Sequence, residues 1–208
     1  MAKYIGPVCR MCRREGEKLF LKGERCYTSK CSVERREGGP GQHGKGRQQF
    51  SDYKVQLRAK QKVRRSYGIL EKKFRDYFKV AAKSKGVTGT ELLVQLETRL
   101  DNIVYRLGFG TSRAHARQVV NHGHMRVNGK RVNIPSYRVK VGDVVEVSDK
   151  ARSDLSIGAA VSLGESRSIP EWLTLDREQF RGTVVALPNR EQIPRSYQEQ
   201  LIVELYSK

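Results

Sequence analysis

Cys9, Cys12, Cys26 and Cys31 are the only cysteines in the chain, and they are spaced C-x2-C, thirteen residues, then C-x4-C. Two close pairs of thiolates joined by a loop are what a tetrahedral soft-ligand site requires. Zinc is the default ion, because no redox partner is evident and a segment this short hardly folds without a cross-link. An iron–sulfur cluster accepts the same four ligands and stays open as the alternative. A disulfide reading has no secretory signal behind it, and a Cys-x-x-Cys redox pair needs a strand-helix unit that the neighbouring residues do not offer. The metal's expected role is structural. Arg10, Arg13, Arg14, Lys18, Lys22, Arg25, Lys30, Arg35 and Arg36 are interleaved with the ligands, and a pinned loop presents cations to phosphates with little ordering entropy left to lose.

Further cations follow in two settings. Gly38 to Gly46 is too glycine-rich for a helix or strand and reads as a loop carrying His43 and Lys45, with Arg47 just beyond it. It lacks the Gly-Lys-Ser/Thr ending of a nucleotide-binding loop, so close approach to a nucleic-acid backbone is the functional expectation. Lys54, Arg58, Lys62 and Arg65 then recur at four, four and three residues, a basic stripe on a helix expected from Ser51 to about Tyr67. Like charges one turn apart destabilise an isolated helix, which points to an external anion. Tyr53 and Leu57 are expected to begin the contact side of that helix.

Other elements must hold these cations in place. A helix over about Leu70 to Ser84 is expected to bury Leu70, Phe74, Tyr77, Phe78 and Ala81, and another from near Thr90 to bury Leu92, Leu93 and Leu96. From Arg99 to Val147 the instructions are denser. Leu100, Ile103, Val104 and Leu107 give one apolar helix face, with Thr98 and Asp101 resembling a capping box. Thr111 or Ser112 caps a second helix that ends near His122 and Gly123, burying Ala116, Val119 and Val120. Arg113 and Arg117 lie one turn apart and are expected to point out of the domain. The period then changes to two around Met125 and Val127. Asn128-Gly129 is a hairpin signal between Arg126 and Lys130-Arg131, Tyr137 to Val141 alternates, and Val144 to Val147 forms a last strand. Beyond Lys150 the expectations are a helix capped by Ser153 and ending near Gly164, a turn anchored by Trp172, and strands at Thr183–Leu187 and Leu201–Tyr206.

The 208 residues carry a formal charge of +19. Residues 1–85 hold 24 Lys and Arg against 8 Asp and Glu, residues 86–150 hold 10 against 6, and residues 151–208 hold 7 against 8. A polyanion is the natural partner of such an excess. No apolar run approaches the ~20 residues that span a bilayer, and no signal core stands at Met1 to Cys9, so a cytoplasmic protein is expected. Catalysis gains no support, since no Ser/His/Asp, paired-carboxylate or Cys/His constellation stands out. His115, His122 and His124 come closest, and the last two suit dipole or phosphate contacts better.

The segment Ser112 to Val132 resembles the small RNA-binding module of ribosomal, tRNA-synthetase and RNA-modifying proteins. Tyr4-Ile-Gly-Pro-Val-Cys-Arg10, Pro40-Gly-Gln-His-Gly44, Ser51-Asp-Tyr53, Arg64-Arg-Ser-Tyr-Gly-Ile69, Arg99 to Phe109 and Glu204-Leu-Tyr-Ser207 extend the likeness over the whole chain. Together they are similar to the family of bacterial small-subunit ribosomal protein number four, in its four-cysteine variant. The resemblance implies a structural binder of small-subunit rRNA that nucleates assembly and contributes to decoding accuracy, a monomer within the ribosome. It also implies a position near where mRNA enters, beside small-subunit protein number five, with no membrane partner. The expected fold class is α+β. A basic four-cysteine metal knuckle and glycine loop occupy 1–50, and helices occupy 51–98, joined by the C-terminal segment from about 196 to 208. A second domain over 99–195 carries short helices on a small, mainly antiparallel sheet. RNA contacts are expected from Arg13, Arg14, Lys22, Arg35, Arg36, His43, Lys45, Arg47, Tyr53, Lys54, Arg58, Lys62, Arg65, Arg113, Arg117, Arg126, Lys130 and Arg131. The rival readings are a free RNA-binding factor and an RNA-modifying enzyme. The 58 residues after Lys150 are too few for a catalytic domain with its own core.

Overall fold

The structure is a computed structural model that describes residues 3–46, 49–164, 167–194 and 196–207. In chain order its helices are α1 (Cys9–Glu15), α2 (Ser32–Arg35), α3 (Asp52–Ser66), α4 (Glu71–Ala81), α5 (Thr88–Glu97), α6 (Leu100–Arg106), α7 (Arg113–Asn121), α8 (Asp149–Arg152), α9 (Leu155–Gly164) and α10 (Glu199–Tyr206). The strands are β1 (Met125–Val127), β2 (Lys130–Arg131), β3 (Val144–Val147), β4 (Leu173–Asp176) and β5 (Arg181–Val184). The chain divides into two compact units, Met1–Leu92 with Pro194–Lys208, and Leu93–Ile193.

In the first unit α3 begins where Ser51 accepts a hydrogen bond from the Lys54 N–H at 3.3 Å. Its buried face is Gln56, Ala59, Lys60, Val63 and Ser66, a helical period one position away from the expected one. Tyr53 is exposed and Leu57 only half-buried. The shift arises because α10 covers this face and supplies polar partners. Gln56 Nε2 donates to Glu204 Oε2 at 3.0 Å, and Lys60 Nζ donates to both Glu71 oxygens at 2.8 Å. On α4 the aromatic stripe packs as expected through Phe74, Tyr77 and Ala81, but Leu70 precedes the helix and is exposed.

The strand expected at Leu201–Tyr206 is instead helix α10. A short apolar run does not distinguish strand from buried helix by itself. Here the decision is made by packing, with Ile202 buried against the bundle and the Tyr206 ring one turn later, 4.7 Å from the Phe78 ring.

The second unit is an antiparallel sheet in the order β2-β1-β3-β5-β4, covered by helices. Asn128 and Gly129 have φ of +50° and +76°, as the tight β1–β2 hairpin demands. Leu100, Ile103, Val104 and Leu107 of α6 and Ala116, Val119 and Val120 of α7 pack on Met125, Val145, Val147, Trp172 and Val184. The tail thus completes the sheet with β4 and β5, and Trp172 is buried beside the turn in which the Leu173 N–H donates to the Pro170 carbonyl.

Four local expectations change here. Tyr137 to Val141 forms no strand beyond one bridge, Arg99 to Arg138, because its backbone is used by the α5–α6 junction. Leu100 N–H donates to Tyr137 O, and Val139 N–H donates to Thr98 O. Thr98 does not cap α6; its hydroxyl donates back to the Val94 carbonyl at 2.9 Å. Asp154, not Ser153, caps α9, accepting the Ser156 N–H at 2.8 Å, and β5 ends at Val184 with Leu187 exposed.

The attachment of α10 depends on ionisation. Partial burial pushes the Glu71 carboxyl upward, but the Lys60 ammonium and the Tyr206 hydroxyl outweigh it and hold Glu71 below its ordinary 4.5. Burial, then the Glu71 hydrogen bond, raises the Tyr206 phenol above its ordinary 10.0. A depressed acid contributes stability that is lost as pH falls through its folded value, and a raised one loses its contribution as pH climbs past its unfolded value. The protection of α10 amides, taken against their intrinsic exchange rate at each pH, is therefore expected to be greatest between those limits and to fall below pH 4.5 and above pH 10.0, followed by hydrogen–deuterium exchange.

Candidate nucleic-acid interface

The basic stripe of α3 is built against α1. Glu15, whose side chain is only 3% exposed, accepts from Arg65 Nη1 and from Arg58 Nη1, the latter at 3.3 Å. Glu17 pairs with Lys62 at 2.8 Å. The anion expected to relieve the stripe is thus supplied largely from within the chain. Burial drives the Glu15 carboxyl upward more than Arg58 and Arg65 pull it down, as expected where desolvation is costly even for a paired ion. Arg65 is turned toward Glu15, whereas Lys54 keeps no carboxylate partner among the described contacts; its ammonium donates to the Gln49 carbonyl.

Beside this contact lies a groove of about 930 Å³ lined by Arg13, Arg14, Arg36, Lys54, Arg58 and Lys62, with Gly38, Gly39 and Gly44 on the loop side. An adjoining concavity of about 670 Å³ gathers Arg13, Arg35, Arg36 and Lys45 around the same glycines. The glycine loop is folded on itself, with the Gly39 N–H donating to Gly44 O at 3.0 Å and the Gly44 N–H to Gly41 O at 3.1 Å. A Cβ on Gly44 would stand 2.0 Å from the Gly39 carbonyl oxygen, so only glycine closes this turn. Lys22, His43 and Tyr53 are exposed but line neither concavity, and Arg47 lies outside the described residues.

The cysteines frame the same segment. Cys9 opens α1, Cys12 is inside it, Cys26 sits in a 3-10 turn over Gly23–Tyr27, and Cys31 precedes α2. None is in a disulfide, and Cys12, Cys26 and Cys31 are buried. The Lys22 N–H donates to Cys26 Sγ at 3.4 Å. Burial raises the Cys12 and Cys26 thiols, and neighbouring cysteines add to the effect. Among the described residues, no three His, Cys, Asp or Glu side chains are grouped tightly enough to hold a metal ion.

In the second unit the two arginines of α7 turn inward. Arg117 is buried and lies 3.6 Å from Asp101 Oδ2, while Arg99 grips the same carboxylate through Nε at 2.9 Å and Nη2 at 2.6 Å. Arg113 Nε donates to Asn102 Oδ1 at 2.8 Å, and its guanidinium stacks 4.7 Å from the Tyr105 ring. Their expected outward aim fails because the facing side of α6 carries Asp101 and Asn102, which the apolar period ignores. Glu97 closes the cluster, accepting from Asn102 Nδ2 at 2.6 Å and from two nitrogens of Arg106. On the surface, Arg126 pairs with Asp149 at 2.9 Å, Lys130 is exposed on the hairpin, and Arg131 donates to the His122 and Gly123 carbonyls at the end of α7.

Sequence reasoning missed two residues in these surroundings. Phe50 lines the groove, and its position between a basic loop and a helix cap was the available signal. Arg167 stacks 5.1 Å from Tyr105 and donates to the Gly110 and Thr111 carbonyls, partners too distant in sequence to be anticipated.

Residues 3–97 match the family described as "Ribosomal protein S4/S9 N-terminal domain", and residues 98–145 match the "S4 domain". Over all 208 residues, covering both chains completely, the sequence is 61% identical to the small ribosomal subunit protein uS4 of Citrifermentans bemidjiense. The chain belongs to the uS4 family. It is likewise 60% identical to uS4 of Ruminiclostridium cellulolyticum and 56% identical to uS4A of Myxococcus xanthus over the same full span. The S4-domain match stops inside β3, and β4, β5 and Arg167 lie beyond it. Among the described residues no helix is long and apolar enough to cross a membrane.

Removing one partner of a buried ion cluster leaves uncompensated charge. Asp101→Asn is expected to lower unfolding stability by about 3–5 kcal/mol, read by denaturant titration. Asp149→Asn, at the exposed Arg126 pair, is expected to change it by less than about 1 kcal/mol.

Proposed function

We propose that this chain is a structural protein of the small ribosomal subunit, working in the cytoplasm by binding rRNA rather than by catalysis. The observation that carries the reading is the groove of the first unit, where Arg13, Arg14, Arg36 and Lys54 stand around a self-bonded glycine turn. Guanidinium groups and a close-approaching backbone suit phosphate oxygens, and their fixed separations favour a folded RNA over a flexible polyanion. Family membership adds the assembly to which such a surface is fitted. Nucleation of subunit assembly follows from early docking of a preformed basic surface. A place beside small-subunit protein number five, near where mRNA enters, and an influence on decoding accuracy belong to the same proposal through the family resemblance.

Cys9, Cys12, Cys26 and Cys31 are proposed to hold a structural zinc, with an iron–sulfur cluster as the alternative. In support are the all-thiol donor set, the absence of disulfides, the burial of three of the four, and the N–H donor to the Cys26 sulfur. When bound, the ion supplies a cross-link to a segment with little apolar core of its own. The chain's residues do the rest, aiming Arg13 and Arg14 from α1 and Arg35 and Arg36 from the end of α2.

Affinity for isolated small-subunit rRNA is expected to fall linearly with the logarithm of salt concentration. Arg14→Glu, Arg36→Glu and Lys54→Glu are each expected to lower that slope by about one. A flat salt response would sink the proposal, and co-sedimentation with the small subunit provides the check in a lysate.

For the metal, elemental analysis of protein purified without chelator is expected to show one zinc per chain, or several irons with sulfide under the alternative. Four titratable thiols and neither metal would remove it.

A further inference from the structure

Phe50 stands apart from the cations around it. The residue is 79% exposed although it lines the groove of the first unit, and Lys54 Nζ stands 5.1 Å from the ring centroid. Val33, Val55 and Ala59 give the same groove apolar wall, while Arg13, Arg14 and Arg36 ring it with charge. Its acidic lining residues, Glu15 and Glu17, are engaged by Arg58, Arg65 and Lys62, so the groove presents cations and apolar surface together. A duplex backbone uses only the charge. An acidic peptide has no need of a flat ring held in place by a cation. A nucleotide needs both, a planar face for its base and donors for its phosphates.

We infer that this groove receives one unstacked nucleotide of the bound RNA, its base against the Phe50 ring and its phosphates against Arg13, Arg14 and Arg36. The inference rests on the rRNA-binding function proposed above and deepens it: part of the recognition is stacking on a single-stranded base. The groove volume of about 930 Å³ lies within the range of sites that enclose small ligands. Lys54 contributes twice, steadying the ring and meeting the phosphate field.

Stacking and ion pairing respond differently to salt, and the test uses that difference. Affinity of the full chain for isolated small-subunit rRNA is measured across a potassium chloride series for the unsubstituted protein, Phe50→Ala and Phe50→Trp. Phe50→Ala is expected to weaken binding by about five- to a hundred-fold with an unchanged salt slope, and Phe50→Trp to retain it. Thermal unfolding of Phe50→Ala is expected to match the unsubstituted chain, since the ring is exposed. Equal affinity of Phe50→Ala overturns the inference while leaving the proposed function standing; if that variant also loses co-sedimentation with the subunit, Phe50 serves a protein contact instead. A loss accompanied by a lower slope, or one that tryptophan does not restore, also overturns it. If the unsubstituted chain fails to bind rRNA, the proposed function and this inference fall together.

Discussion

Carboxylates are scarce in this chain, and the structure depends on where the few buried ones are placed. Against 41 Lys and Arg there are 22 Asp and Glu. Glu15, Glu97 and Asp101 have side chains 3%, 1% and 6% exposed, and each is gripped by cationic side chains from other parts of the chain. Glu15 joins α1 to α3 through Arg58 and Arg65. Glu97 joins the end of α5 to α6 through Arg106 and Asn102, and Asp101 joins α6 to α7 through Arg117. A buried ion pair is a doubtful source of net stability, because desolvation offsets most of the attraction. Its value here is geometric. A carboxylate shared by two such donors, guanidinium or amide, admits few arrangements of the helices that carry them, so each cluster fixes a helix junction that apolar packing alone leaves free to slide.

This placement also decides which cations remain for an external partner. Arg58, Lys62, Arg65 and Arg117 all stand in basic patterns that read as binding surface, yet each is engaged by a carboxylate within its own unit. Arg14, Arg35, Arg36 and Lys45 lie on segments with little core and stay exposed, around the glycine turn. The surplus charge is thereby concentrated where backbone and side chains together form a concave surface. Concentration of one sign in a cleft with low-dielectric walls strengthens the local field beyond what the same charges produce when spread over a convex surface.

What was legible in the sequence follows from how local each cause is. Ser51 and Ser112 could be read as helix caps because a cap bonds an N–H three residues away, and Asn128-Gly129 could be read as a hairpin because its φ values are intrinsic to those residues. The aromatic face of α4 and the core faces of α6 and α7 were legible through period alone. Three kinds of feature were not. The run Leu201–Tyr206 has a helical partner surface 135 residues away at Glu71, and nothing local separates it from a strand. Tyr137–Val141 alternates like a strand, but its backbone groups are taken by the α5–α6 junction. The direction of Arg113 and Arg117 is set by Asp101 and Asn102 on the facing helix, so a charge pattern on one helix cannot reveal whether its cations face water or a buried acid.

So small a helix as α1 also owes its defined place to a buried carboxylate. Seven residues are too few to hold a helix in water, since nucleation consumes most of what the hydrogen bonds return. Its apolar contribution is slight, Cys12 being its buried residue. What fixes α1 is Glu15 at its last turn, held between Arg58 and Arg65 of α3. Arg13 and Arg14 immediately precede that carboxylate, and a displacement of it moves them relative to Arg36 and Lys54. The preorganisation of the groove is therefore not a property of its cations. It belongs to the buried carboxylate that keeps the helix beneath them from turning.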